Sequence, residues 1–562
     1  MKKNFEKHKG IVATSSETLY QALKDRDELF RIGENLYSFA HMQLDVDTRK
    51  GSSQELADRA MNLYVDITEA TSFLVPEILA MDENMIVEYL NEKEELRLYK
   101  QLLDDIFREK KHVLSAREES ILAQFGEVNA SPNKIYSMLN DADLKFPTIK
   151  DEDGKDVELT SGNFIPFMES TNREVRKSAF KELYKTYNSF KNTFAASLNG
   201  DLKAHIVNSK LRNFTNSREA ALSTNNIPLS VFDNLLTSIH NNLDSMYKYM
   251  DIRKKVLELD ELHMYDLYVP IVGEVEFKIP YDEGVEIIKK ALEPLKDEYL
   301  EGMNEGFISG WIDIYENRGK RSGAYSSGSY DSKPFILLNY HDTLDNVFTV
   351  AHEMGHSMHS YFSRKTQPYV YGNYSIFVAE VASTANECLL LDYMLKNVKS
   401  KNEKLYLLNH YLESFRTTVF RQSMFAEFEK IIHEHLENGG ALTADYLCET
   451  YKELNKLYYG PNVVVDDEIA IEWARIPHFY YDYYVFQYAT GFSAAVALTQ
   501  KILNEGDRAV DDYITFLKSG SSDYPINVLR KAGVDMETVE PVENAMKLFA
   551  RLVDEFEALI FE

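Results

Sequence analysis

Residues Thr349-Val-Ala-His352-Glu353-Met-Gly355-His356-Ser-Met-His359 contain the pattern H-E-x-x-H, and no other stretch constrains this chain as strongly. Positions four apart share one face of an α-helix, so a helix here aims the imidazoles of His352 and His356 at a single point. Two imidazoles so placed suit a zinc ion. Glu353 is displaced around the helix and reaches a water held by such an ion, whose proton it can take. The flanks predict the helix itself. Asp342-Thr343 offers an N-cap, Asp345 adds negative charge to the first turn, and Val347, Phe348, Val350, Ala351 and Met354 supply apolar faces. Gly355 is costly in a helix interior unless another backbone or a substrate comes close.

A catalytic zinc usually takes three protein ligands. His359 lies seven residues after His352, about 10 Å along a helix that rises about 1.5 Å per residue. Three imidazoles spread over that rise do not converge on bonds of about 2 Å. The better third ligand is a carboxylate on the following helix, Phe377-Val-Ala-Glu380-Val-Ala-Ser-Thr-Ala-Asn-Glu387. Glu380 sits among small and apolar residues, where an unpaired carboxylate would be expensive to bury. Glu387, two turns on, suits a partner that orients a ligand histidine.

The stretch Pro477-His478-Phe-Tyr-Tyr481-Asp-Tyr-Tyr484-Val-Phe-Gln-Tyr488 is dense in tyrosine. A helix over 476–503 would place His478, Tyr481, Tyr484 and Tyr488 on one face. A peptidase needs donors for the oxyanion formed when water adds to a carbonyl, and these side chains can supply them. An aromatic packing seam is the alternative for any one of them.

Elsewhere the 562 residues read as a mainly α chain, with a small hairpin near 144–160 and a few short strands. Helix starts are expected at Thr14/Glu17, Ser52/Glu55, Ser115/Glu118 and Thr171/Glu174, and at Ser131-Pro132. Tyr268-Val-Pro-Ile-Val and Val275-Glu-Phe-Lys-Ile have the composition of short strands. Residues 319–334 read as a Gly/Ser/Tyr loop, and Phe335-Ile-Leu-Leu as a strand that either pairs internally or adds an extended peptide at its edge. The expected division is 1–110, 111–185 and 186–562. A net charge of −28 argues against nucleic acid and anionic membranes as partners. Cys388 and Cys448 are the only cysteines and form no C-x-x-C pair, which suits a reducing cytoplasm and disfavours thiolate zinc ligation. No signal peptide or spanning segment is expected.

Taken together, Thr349-Val-Ala-His-Glu-Met-Gly-His-Ser-Met-His-Ser, Gly323-Ala-Tyr, Pro334-Phe-Ile-Leu-Leu-Asn-Tyr, Phe377-Val-Ala-Glu-Val-Ala-Ser-Thr-Ala-Asn-Glu, Pro477-His-Phe-Tyr and Gln487-Tyr-Ala-Thr-Gly resemble oligoendopeptidase F, of the thimet-oligopeptidase-like zinc metallopeptidases. The resemblance covers roughly residues 140–562. It implies a large helical body with a deep substrate channel, a small N-terminal subdomain, and further residues ahead of Met1. It also implies one zinc per chain on His352, His356 and Glu380, with Glu353 as general base. His478 with Tyr481, Tyr484 or Tyr488 would hold the oxyanion. The implied activity is endoproteolysis of oligopeptides. A peptide-binding protein of little catalytic power and a zinc exopeptidase are the rival readings. Oligomeric state is not legible.

Overall fold

Helix follows helix along nearly the whole chain in the computed structural model, which describes residues 5–273 and 278–562. Ser115 and Glu118 form the expected reciprocal capping box. Other starts are displaced. Ser15, with Thr18 as its partner, caps Ser16–Val46 in place of Thr14. Asn172 caps Arg173–Asn188 in place of Thr171. Gly51–Thr71 follows Lys50 with no side-chain cap, so Ser52 does not serve. Pro132 lies in the first turn of Ser131–Ser137, but Ser131 is inside that helix. Capping residues crowd these segments, and spacing alone does not rank neighbours.

The chain groups into two units, each discontinuous in sequence. One takes Met1–Val113, Glu276–Met394 and Ala495–Asp535; the other takes Leu114–Val275, Leu395–Ala494 and Met536–Glu562.

In the first unit, helices Ser16–Val46 and Gly51–Thr71 pack closely. A Cβ on Gly33 would lie 2.7 Å from the Ile67 side chain, so glycine sets that approach. Leu19, Leu23, Ile67, Leu74, Ile78, Leu96 and Leu103 form the core beneath them. The same unit holds a three-stranded sheet. Phe335–Leu337 is its central strand, parallel to Ile312–Asp313 and antiparallel to Tyr325–Ser327. One open alternative is resolved here and one expectation is corrected. Phe335–Leu337 has partners on both sides, so it offers no edge to a peptide, and Tyr325–Ser327 is a strand within the expected loop. The pairing joins segments distant in sequence, which local composition does not encode. Tyr325 donates to Asp45 (2.9 Å) on Ser16–Val46, and the Ser326 and Ser357 hydroxyls meet at 2.8 Å, tying that strand to the H-E-x-x-H helix as well.

The second unit carries the expected hairpin, Thr148–Lys150 against Asp156–Glu158, closed by a turn with Gly154 at φ 77. Tyr268-Val-Pro-Ile-Val is not a strand; pairing occurs upstream, where Leu262–His263 runs parallel to Val463–Val464. Val275-Glu-Phe falls outside the described residues. Helices pack around buried ion networks. In one, the carboxylate of Glu472 accepts from Tyr184, Arg421 and Tyr451. Such a network is costly unless its charges are paired.

Candidate active site

The helix Leu344–Thr366 carries the motif, and the hydroxyl of Thr343 caps it by accepting from the Asn346 amide. The next helix, Ile376–Asn397, lies against it at Gly355. A Cβ on Gly355 would come within 2.5 Å of Ser383 Cα and 2.6 Å of the Ala382 carbonyl oxygen. Both are backbone atoms, so neither can rotate away. Asn386 reinforces the contact by donating to the Ala351 carbonyl (3.0 Å) and accepting from buried Tyr299 (2.8 Å).

This close approach fixes the donor set. Oε2 of Glu380 lies 3.3 Å from His352 Nε2 and 3.4 Å from His356 Nε2. Ser383 donates to the same oxygen at 3.2 Å. A tetrahedral ion with ligand bonds of about 2.0–2.1 Å sets neighbouring donors about 3.4 Å apart. Two imidazole nitrogens and a carboxylate oxygen at that spacing fit zinc in both chemistry and size. His352 Nδ1 is hydrogen-bonded to Glu387, the contact that fixes a ligand imidazole's tautomer and orientation.

The imidazoles and carboxylates of the donor set perturb one another strongly. Burial alone would favour neutral His352, but hydrogen bonds to Glu380 and Glu387 outweigh it and raise its pKa to about 10. Burial likewise opposes charge on Glu380, yet the two histidines hold it well below the usual carboxylate range. Glu353 is 7% exposed, and its Oε2 has no hydrogen-bond partner. Burial raises its pKa; the two histidines oppose that rise and the nearby Glu380 adds to it. A buried carboxylate with a free oxygen beside the donor set is placed to exchange a proton.

His359 does not join the donors. It is 1% exposed, stacked on Tyr374 (3.6 Å between centroids, 1° between planes), and burial pushes its pKa down to about 3.

The aromatic stretch belongs to the second unit and departs from expectation. Its helix starts at Phe486, not 476, and residues Pro477–Tyr480 form a short 3-10 turn. Asp482 and Tyr483 have φ of 47° and 56°, which breaks any helix there. The four side chains nonetheless gather. His478 lies 5.5, 6.0 and 5.9 Å from Tyr481, Tyr484 and Tyr488 by ring centroid, and the Tyr488 hydroxyl meets His478 Nε2 at 3.4 Å. Burial lowers the His478 pKa, which leaves a neutral ring with one N–H to donate. A turn followed by a helix thus brings together what the sequence assigned to a single helical face.

A cluster of His205, His433 and Asp482, also in the second unit, was missed by the sequence reading. Its signal was the spacing Asp201-x-x-x-His205 and Glu429-x-x-x-His433, two acid–histidine pairs each one helical turn apart.

Two results follow from the first unit's geometry. Gly355→Ala should gain up to about 1 kcal/mol of helix propensity but lose about 1–3 kcal/mol to overpacking against immobile backbone. The expected result is a lower Tm together with weaker zinc binding; a raised Tm would contradict the contact. Glu387→Gln should weaken zinc binding by about 10–100-fold, as loss of an orienting partner typically does, with Tm of the metal-free protein nearly unchanged.

The chain is similar to known proteins along nearly its whole length. Peptidase family M3 matches residues 166–548, and the Oligopeptidase F family matches residues 77–146. Oligopeptidase PepF of Bacillus subtilis (strain 168) is 52% identical over 559 residues, spanning 100% of this chain and 83% of that protein. The oligoendopeptidase F homolog of Lactococcus lactis subsp. lactis is 43% identical over 551 residues, spanning 98% and 92%. The crystal structure of oligoendopeptidase-F from Enterococcus faecium superposes with a TM-score of 0.80 at 41% identity, covering 100% of this chain and 96% of that one. Fold and sequence therefore define a peptidase, a hydrolase of peptide bonds. The chain belongs to peptidase family M3 and is related to oligoendopeptidase F. Among the described residues no helix is long and apolar enough to cross a membrane.

Proposed function

We propose that the chain is a zinc endopeptidase that cleaves internal bonds of short oligopeptides. The observation that carries this reading is the placement of Glu380 Oε2 at 3.3 and 3.4 Å from the two motif imidazoles, beside buried Glu353. His352, His356 and Glu380 would hold the ion, with Glu387 orienting His352. Zinc in such a site supplies Lewis acidity to a water and to the scissile carbonyl. Glu353 takes the proton of the attacking water on its carboxylate and returns it to the leaving amine nitrogen. The resemblance to oligoendopeptidase F assigns donation to the oxyanion to His478 and a tyrosine among Tyr481, Tyr484 and Tyr488. The relatives' names, Oligopeptidase and Oligoendopeptidase, support short peptides as the substrate class.

A peptide acetylated at its N-terminus and amidated at its C-terminus tests the reading beside an intact folded protein. Internal cleavage of the blocked peptide, with the folded protein spared, is the expected result. Cleavage only of peptides with a free end would establish an exopeptidase, and binding without cleavage in zinc-replete protein would establish a peptide binder. For the donors, replacing Tyr481, Tyr484 and Tyr488 singly by Phe should reveal one whose loss lowers kcat by about 10²–10³ at little cost to KM. Three unaffected variants would assign the cluster to packing.

A further inference from the structure

We propose that His205, His433 and Asp482 bind a second divalent cation, of the class that imidazole and carboxylate ligands hold together. All three residues lie in the second unit. His205 sits on helix Lys191–Leu211, one turn beyond Asp201. His433 sits on helix Arg421–Glu437, one turn beyond Glu429. Asp482 lies in the turn that precedes Phe486–Glu505. One ligand atom from each of the three falls within 4.8 Å of the others.

The second observation is a concentration of buried polar atoms with no partner. His433 is 0% exposed, and neither ring nitrogen makes a hydrogen bond. His205 Nδ1, Asp482 Oδ1 and Asp201 Oδ2 are likewise buried and unpaired. His205 Nδ1 stands 3.6 Å from Asp482, and its Nε2 stands 3.8 Å from Asp201, too far for hydrogen bonds. Leaving such atoms unsatisfied is costly, and native interiors leave few of them. A cation bound by the two imidazoles and the Asp482 carboxylate takes one atom from each of these three residues, and so satisfies most of the group at once. Bonds of about 2.0–2.2 Å need donors about 3–4 Å apart, so the set closes by a small rotation of His205, whose side chain is 26% exposed.

The backbone supports the same conclusion. Asp482 and Tyr483 both adopt left-handed φ, which is uncommon for non-glycine residues and most unfavourable for a bulky one. Glu429 holds the turn by accepting from the Tyr483 amide (2.7 Å), and the His433 ring stacks on Tyr483 (4.6 Å). This strained turn delivers the Asp482 carboxylate to the two imidazoles. Two imidazoles with a carboxylate suit zinc and its first-row neighbours better than calcium or magnesium. A bound ion would tie both helices to the turn that carries Tyr481 and Tyr484.

The test removes the motif histidines and asks what still binds. In the full chain carrying His352→Ala and His356→Ala, calorimetric titration with Zn²⁺ should still show one ion per chain. Adding Asp482→Asn should weaken that binding by more than the about 10–100-fold that loss of a mere orienting partner costs. Asn tolerates the left-handed φ, so this change spares the turn. Circular dichroism checks folding. Should the double variant not fold, zinc analysis of the otherwise unaltered protein replaces it: two ions per chain are expected, and one with Asp482→Asn. No zinc bound in the double variant, equal binding with and without Asp482→Asn, or one ion in the unaltered protein overturns the proposal.

Discussion

Glu353→Gln is expected to abolish nearly all peptide hydrolysis while leaving zinc content and Tm close to those of the unaltered protein. Glutamine has the size and shape of glutamate, so the buried packing around residue 353 survives. It accepts no proton from water and returns none to an amine. General acid–base catalysis contributes about 10²–10⁴-fold, and one carboxylate performing both transfers should sit at the upper end. The change should appear in kcat, measured on a blocked peptide, with KM little altered. Substantial residual turnover would remove Glu353 from the role of base. Its setting makes the assignment specific. An exposed glutamate would have an ordinary pKa, whereas Glu353 is 7% exposed, with a raised pKa and an unpartnered Oε2.

Glu380→Ala is expected to cost both metal and activity. The Glu380 carboxylate is the atom group that both motif imidazoles face. Without it two histidines remain, fewer than a catalytic zinc usually takes. Lewis-acid assistance supplies several kcal/mol at the transition state, so hydrolysis should fall by roughly 10³-fold or more. The variant should also differ from Glu353→Gln in kind. Its activity should return in part when zinc is supplied in excess, whereas that of Glu353→Gln should not. Full activity in dialysed Glu380→Ala protein would exclude the carboxylate as a ligand.

Much of the first unit's site was legible because its information is local. The spacing of His352 and His356 is a helical period, and Gly355 announces a close approach whose partner is the Ser383 backbone. Glu380 and Glu387 stand out as carboxylates in an apolar helix, and only coordinates show that one faces the imidazole Nε2 atoms and the other His352 Nδ1. What was illegible depends on contacts between distant segments or on backbone strain. Tyr325–Ser327 becomes a strand by pairing with Phe335–Leu337, and that pairing removes the edge the sequence left open. The aromatic run has helical spacing from His478 to Tyr488, yet Asp482 and Tyr483 turn left-handed within it. The ring cluster still forms because a turn can bring the same residues together. His205, His433 and Asp482 come from three separate segments, so no single window of sequence contains them.

The decisive measurement is anomalous diffraction from crystals of the zinc-loaded protein, recorded on both sides of the zinc absorption edge. A peak within bonding distance of His352 Nε2, His356 Nε2 and a Glu380 oxygen is expected, with His359 still stacked on Tyr374. A zinc that bonds His359, or that sits on the two motif histidines with Glu380 turned away, would contradict the assignment.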